Sequence, residues 1–118
     1  VIITRNGKNV FPEELEYYLG KSTLVSESMV WASQDDAGQD AVIVATIKPD
    51  MEEVEAEIGK EAAKDPQKVE ALLWSMVDKV NENLPLFKKI RQINVRKDDF
   101  EKTTGKKIKR FVESNKKQ

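Results

Sequence analysis

Ala41-Val-Ile-Val-Ala-Thr-Ile47 is a nearly unbroken apolar run, closed by Pro49-Asp50. It is too short for a helix of ordinary length and suits a strand buried on both faces. Upstream, Val25 to Ser33 alternates in character around Met29-Val-Trp31-Ala. The cluster Asp35-Asp-Ala-Gly38 between the two stretches favours a turn. An antiparallel pair joined by that turn is therefore expected at the centre of the chain.

Toward the amino end, Val1-Ile-Ile-Thr-Arg5 is β-branched and apolar, and Asn6-Gly7 follows. That dipeptide is the strongest short-range hairpin signal, because both residues tolerate positive φ. Lys8-Asn-Val-Phe11 is the expected return strand. A chain opening directly on a strand is expected to continue something upstream. Pro12 to Leu19 reads as a helix, with Pro12 in the first turn and Glu13 and Glu14 at the positive end of the helix dipole. Phe11, Leu15, Tyr18 and Leu19 share its core face, and Gly20 is a plausible stop.

Toward the carboxyl end, the spacing of Met51, Val54, Ile58 and Ala62 predicts one helix over 51–63, weakened at Gly59 by roughly 1 kcal/mol relative to alanine. Asp65-Pro66 combines a cap with a first-turn proline. Val69, Leu72, Leu73, Met76, Val77 and Val80 then mark the most amphipathic helix, with Trp74 off its face. Ile90 to Val95 suits a strand with one buried face. Ile108, Phe111 and Val112 are expected to anchor a short last helix, and Ser114 to Gln118 to fray. Strands and helices intermix without a regular βαβ period. The fold class expected is α+β, a small mostly antiparallel sheet of about three strands packed with helices, plus the hairpin, all in a single domain over 1–118.

Composition narrows the chemistry. The 118 residues contain no cysteine and no histidine. Disulfides, thiolate metal sites and histidine-dependent catalysis are thereby excluded for this chain, and no metal site is expected. Charge is polarised: residues 1–87 carry 8 Lys and Arg against 17 Asp and Glu, whereas residues 88–118 carry 12 against 4. A basic end on a nearly neutral chain points to an anionic partner there. That end contains Phe100-Glu-Lys-Thr-Thr-Gly-Lys-Lys-Ile-Lys-Arg110. Gly105 suits a loop tip, with Thr103 and Thr104 as its support, and a lysine beyond it is placed to reach an anion on a neighbour.

The hairpin and the lysine loop together resemble a known pair of motifs. Gly7-Lys-Asn-Val-Phe-Pro-Glu-Glu-Leu-Glu16 resembles the motif that follows the interdomain hinge of the adenylate-forming enzymes. Lys102-Thr-Thr-Gly-Lys-Lys-Ile-Lys-Arg110 resembles their C-terminal catalytic-lysine motif. The wording is most similar to long-chain fatty-acid–CoA ligases (acyl-CoA synthetases), and the resemblance covers nearly the whole chain. It implies a mobile C-terminal subdomain working with a large N-terminal adenylation domain and a hinge, both absent here. It implies ATP with Mg2+ and coenzyme A as the ligands of the full enzyme, a fatty acid as substrate, and a location that is cytoplasmic or peripheral to a membrane.

The resemblance also implies residue roles. Lys102-Thr103 and Ile108 select Lys107 as the catalytic lysine, and the glycine immediately before Lys106 selects Lys106 as the alternative. The Asn6-Gly7-Lys8 hairpin would face the coenzyme A channel. The 118 residues alone are expected to bind no cofactor and to catalyse nothing. Two other readings stand beside this one. The basic end could serve a small nucleic-acid-binding domain, although Phe87, Phe100 and Phe111 are spaced as core anchors rather than a base-stacking strip, and no nucleic acid is expected. A plain interaction module would show an apolar patch at Trp31, Trp74 or the hairpin.

Overall fold

The computed structural model describes residues 1–34, 37–38 and 40–117, the side chain of Ala41 excepted. The expected strand pair is present. β3 (Val25–Gln34) and β4 (Asp40–Pro49) run antiparallel, with Val30 opposite Ala45 and Trp31 opposite Val44. Residues 35 and 36 of the expected turn lie outside the described residues. β4 is the middle strand of a three-stranded sheet ordered β3-β4-β5, and Ile43, Val44, Ala45, Thr46 and Ile47 are all buried. Its continuous apolar run has the cause inferred for it: both of its faces are covered.

The third strand, β5 (Gln92–Val95), runs parallel to β4, with Ala45 opposite Ile93. The long connection through three helices explains this, because a crossover returns the chain in its original direction. The α+β class holds, with a separate two-stranded antiparallel hairpin, β1 (Ile2–Ile3) and β2 (Asn9–Val10). The backbone amide of Ile3 donates to Asp40 Oδ2 (3.2 Å), and Ile2 and Val10 are buried in the core, which ties the hairpin to the start of β4.

One face of the sheet carries the helices. α1 (Pro12–Gly20) buries Leu15 and Leu19. Tyr18 is half-buried, whereas Phe11 of the expected core face is 51% exposed, because it stands outside the helix as its extended N-cap. The expected single helix over 51–63 is two: α2 (Met51–Ile58) and α3 (Lys60–Ala63). Gly59 lies between them at φ 88, a region that glycine enters without steric cost. The break shifts the helical phase, so Ala63 rather than Ala62 reaches the core. α2 is capped by Asp50, whose carboxylate accepts from the amides of Glu52 and Glu53. α4 (Pro66–Glu82) begins as expected, with Asp65 Oδ1 accepting from the amide of Gln67 (3.0 Å). It buries Val69, Leu73, Met76 and Val77, with Leu72 and Trp74 half-buried at the edge of the same core. Asn81 on α4 holds both the amide and the carbonyl of Ile90 (2.9 Å each), which aims the chain into β5.

The other face is covered by the chain after β5. Alternation along the strands sends Met29, Trp31, Val44 and Thr46 away from the helices. Trp31 Nε1 donates to Thr46 Oγ1 (2.9 Å), and that hydroxyl donates onward to the carbonyl of Lys116 (3.0 Å). Asn94 Nδ2 donates to the same carbonyl (2.8 Å). Arg96, only 8% exposed, donates to the carbonyls of Asp98, Asp99, Ser114 and Lys117 and stacks over Phe100 at 5.1 Å. The expected fraying of residues 114–117 is therefore corrected. They include most of α5 (Glu113–Lys116) and are fastened to the sheet by buried polar groups that would otherwise lack partners. Phe111, expected as an anchor, is 93% exposed.

Candidate functional site

The lysine stretch is itself a small hairpin. An antiparallel bridge pairs Lys102 with Ile108, and the amide of Lys109 donates to the carbonyl of Glu101 (2.9 Å). At the tip, the amide of Thr103 donates to the carbonyl of Lys107 and the amide of Lys106 to the carbonyl of Thr103, both at 2.8 Å. Thr103 Oγ1 accepts from the amide of Lys107 (3.3 Å).

The amino-terminal hairpin repeats this construction. The amide of Thr4 donates to the carbonyl of Lys8, the amide of Gly7 donates to the carbonyl of Thr4, and Thr4 Oγ1 accepts from the amide of Lys8 (3.1 Å). Each is a three-residue loop closed by a threonine, with a left-handed residue at its end and a lysine immediately after. Gly7 at φ 76 and Lys106 at φ 64 occupy equivalent positions, as do Lys8 and Lys107. The two-residue Asn6-Gly7 turn is thus corrected to a three-residue loop in which Gly7 alone is left-handed. Likewise Gly105 does not take the positive angle expected of it. The position counted from the closing threonine does, and it holds Lys106, the one left-handed non-glycine among the described residues.

A lysine in that conformation costs roughly 1 kcal/mol or more. Lys106→Gly is expected to raise stability by about 0.5–1 kcal/mol, because relief of strain outweighs the added freedom of the unfolded chain. A denaturant midpoint that fell instead would show that the turn is unstrained.

The cations around the hairpin divide into two sets. Lys102 Nζ pairs with Glu27 Oε2 of β3 (2.7 Å). Arg110 makes a two-pronged contact with Glu16 of α1 (2.7 and 2.5 Å), and Glu16 Oε2 also accepts from the amide of Val30 (2.8 Å). That contact raises the Arg110 pKa against the opposing effect of partial burial. Lys102 and Arg110 therefore bolt the two ends of the hairpin to the domain. Lys106 and Lys107 are exposed and make no ion pair with the described residues. Their ammonium groups project from a braced turn without a carboxylate of their own.

Lys48 and Asp99 form an exposed ion pair just ahead of the hairpin. The hydrogen bond from Lys48 and its charge hold the Asp99 carboxyl below its ordinary range, and the same contact raises Lys48. Asp99 thus contributes stability above the unfolded carboxylate pKa of about 3.9, and loses it as pH falls through the folded value. Lys48 contributes below its unfolded 10.5 and loses it as pH rises through its raised value. In denaturation midpoints, the gap between the wild type and Asp99→Asn is expected to close progressively as pH falls below the unfolded carboxylate pKa of about 3.9. A gap that stayed constant would rule out the pair as its cause.

The rival readings meet mixed observations, with Phe111 exposed rather than anchored in the core. Among the described residues, five of the twelve cations of the basic end are committed: Lys88 to Glu14, Lys102 to Glu27, Arg110 to Glu16, Lys116 to Glu113, and Arg96 to carbonyls. Of the aromatics, Phe100 is buried and Phe87 packs against the core. Trp31 is bonded to Thr46 and covered by the Lys116 ammonium at 5.0 Å. Exposed apolar side chains do occur at Val1, Ile3 and Phe11, on and beside the amino-terminal hairpin.

Comparison with known proteins follows the same lines. The carboxylic acid reductase A-PCP didomain from Segniliparus rugosus, solved in complex with AMP, superposes with a TM-score of 0.71 at 23% identity, over 93% of this chain and 15% of that one. The Brucella canis acyl-CoA synthetase superposes at 0.67 with 24% identity, over 94% and 18%. A benzoate CoA ligase from Burkholderia xenovorans LB400 superposes at 0.60 with 27% identity, over 88% and 18%. The first two likenesses are of fold alone. The chain spans less than a fifth of each of these proteins. A search of curated proteins returns no match. The family model described as the AMP-binding enzyme C-terminal domain matches residues 1–115, and the chain belongs to that family.

Proposed function

We propose that this domain is the mobile C-terminal subdomain of an ATP-dependent long-chain fatty-acid–CoA ligase, a cytoplasmic or membrane-peripheral enzyme in which it works against a large adenylation domain of the same polypeptide. In the first step a carboxylate attacks the α-phosphate of ATP, forming the acyl-adenylate and releasing pyrophosphate. In the second, the thiol of coenzyme A displaces AMP. Lys107 supplies a fixed positive charge where carboxylate and phosphate meet, which is electrostatic stabilisation without proton transfer. The Asn6-Gly7-Lys8 hairpin faces the coenzyme A channel in the second step.

The observation that carries this reading is the pairing of free and braced cations. Lys102 and Arg110 are spent on holding the hairpin, and Lys107 is left exposed on it. Lys107 is preferred over Lys106 for a physical reason. Both its amide and its carbonyl are held by Thr103, whereas Lys106 is held by Thr103 through its amide alone and sits in the left-handed corner of the turn. No group of three or more acidic side chains able to hold a metal stands together among the described residues. The fatty-acid specificity rests on the wording of the two motifs.

The test is to restore the adenylation domain upstream and measure the two half-reactions separately. Lys107→Ala is expected to impair adenylate formation and Lys8→Ala thioester formation. Equal losses in both steps from either change would refute the assignment of the two hairpins.

A further inference from the structure

The carboxamide of Asn115 is completely buried, three residues before Gln118, in a stretch that composition marks as solvated. Each of its polar atoms is used. Asn115 Oδ1 accepts from the amide of Glu101 (2.6 Å), and Asn115 Nδ2 donates to the carbonyls of Glu101 and Lys109 (2.9 Å each). Glu101 and Lys109 are the residues just outside the Lys102–Ile108 bridge, on opposite arms of the lysine hairpin. One side chain therefore closes the base of the hairpin from below. The tail that carries it is held in turn by Asn94 and Thr46 on the sheet and by Arg96 just beyond β5. Position passes from the sheet to the tail, from the tail to Asn115, and from Asn115 to the hairpin that ends in Lys107.

We infer that Asn115 is a positioning residue for the lysine of the adenylation step, acting through the base of the hairpin without touching substrate. The inference rests on the functional reading proposed for Lys107. Its physical basis is the penalty for misplacement. A charge that must meet a reacting centre loses about a hundredfold in rate for a shift of about 1 Å. The hairpin's remaining backbone bond at this level, from the Lys109 amide to the Glu101 carbonyl, links its arms to each other but not to the domain. Without Asn115, the hairpin still pairs with itself, but the side-chain contacts left to hold it among the described residues are the partly exposed ion pairs of Lys102 and Arg110 and the exposed hydrogen bond from Ser114 Oγ to Glu101 Oε2.

The experiment uses Asn115→Ala and Asn115→Asp in the enzyme restored with its adenylation domain, beside Lys107→Ala. Asn115→Asp keeps the acceptor for the Glu101 amide but turns charge toward two carbonyls, so both changes are expected to loosen the base. Adenylate formation should fall about 10- to 100-fold, and thioester formation from supplied acyl-adenylate should stay within about threefold. Amide exchange should quicken at Glu101, Thr103 and Lys109 while β3 and β4 keep their protection. Parallel loss in both half-reactions, or unchanged adenylation, would overturn the inference. So would unchanged protection of the hairpin amides. If Lys107→Ala leaves adenylation intact, the functional reading fails, and the exchange arm still decides whether Asn115 positions the hairpin.

Discussion

Lys107→Ala in the restored enzyme is expected to slow adenylate formation by about 10²–10³-fold and to leave thioester formation from supplied acyl-adenylate within about threefold. The magnitude follows from what the ammonium is asked to do. Bringing a carboxylate onto a phosphate gathers negative charge from both partners at one place. A positive group already fixed there needs no reorganisation, whereas water in its place must reorient and carries no net charge. The turn around Lys107 is built for fixity: its amide is held by Thr103 Oγ1 and its carbonyl by the Thr103 amide. Only the side chain is free to extend. Lys107→Arg is expected to recover little, because the planar guanidinium spreads its charge and points it differently. Lys106→Gly provides the contrast. It removes the neighbouring cation and relaxes the left-handed corner, so adenylation should change by about threefold or less. Separate pre-steady-state assays of the two half-reactions decide the matter. If Lys106→Gly is the crippling change and Lys107→Ala the mild one, the catalytic register belongs one residue earlier.

Much of the architecture was legible before any coordinates. The run from Ala41 to Ile47 reads as a two-sided strand because nothing polar interrupts it until the chain leaves the core. Asp65-Pro66 marks a helix start through local chemistry alone. The direction of β5 was not legible, since an apolar pattern is the same read either way, and its parallel placement depends on where three helices carry the chain. The split at Gly59 was signalled by the glycine, but its consequence, the exchange of Ala62 for Ala63, needed the actual angle. At the site, both motifs fall on threonine-closed loops, and Gly7 takes the positive φ expected of it, but Gly105 does not. The left-handed position is counted from the closing threonine, which becomes visible only once the two hairpins are compared. Asn115 was invisible for a plainer reason. Ser114 to Lys117 reads as solvated tail, and nothing local reveals that a buried arginine and a threonine hydroxyl on the sheet require its carbonyls. Phe111 was misread by the same route. Polar contacts at Arg110 and Asn115 set the path of the chain there, and the phenyl ring falls on the outside.

Leu73→Ala is expected to destabilise the domain by about 3 kcal/mol, within the range of about 2–5 kcal/mol for emptying a buried leucine site. Leu73 is fully buried in the core between α4 and the sheet. Truncation removes the transfer energy of the lost methyl groups and leaves a cavity that neighbours on two different elements fill only incompletely. The adjacent Leu72 carries the same side chain but is half-buried, so Leu72→Ala should cost about 1 kcal/mol. The pair isolates burial from residue type. Domains of this size have net stabilities of about 5–15 kcal/mol, so the Leu73 change takes a large share of the total and should lower Tm by about 10 °C or more. Its functional consequence should also differ from that of any change at the lysine hairpin. The hairpin is fastened to β3, α1 and the carboxyl-terminal tail and not to α4 among the described contacts, so at temperatures where Leu73→Ala remains folded both half-reactions should keep their wild-type ratio. Equal losses for Leu72→Ala and Leu73→Ala in chemical denaturation would mean that α4 presents a different face to the sheet. A selective loss of adenylation in Leu73→Ala would mean that α4 and the hairpin are mechanically coupled through the sheet.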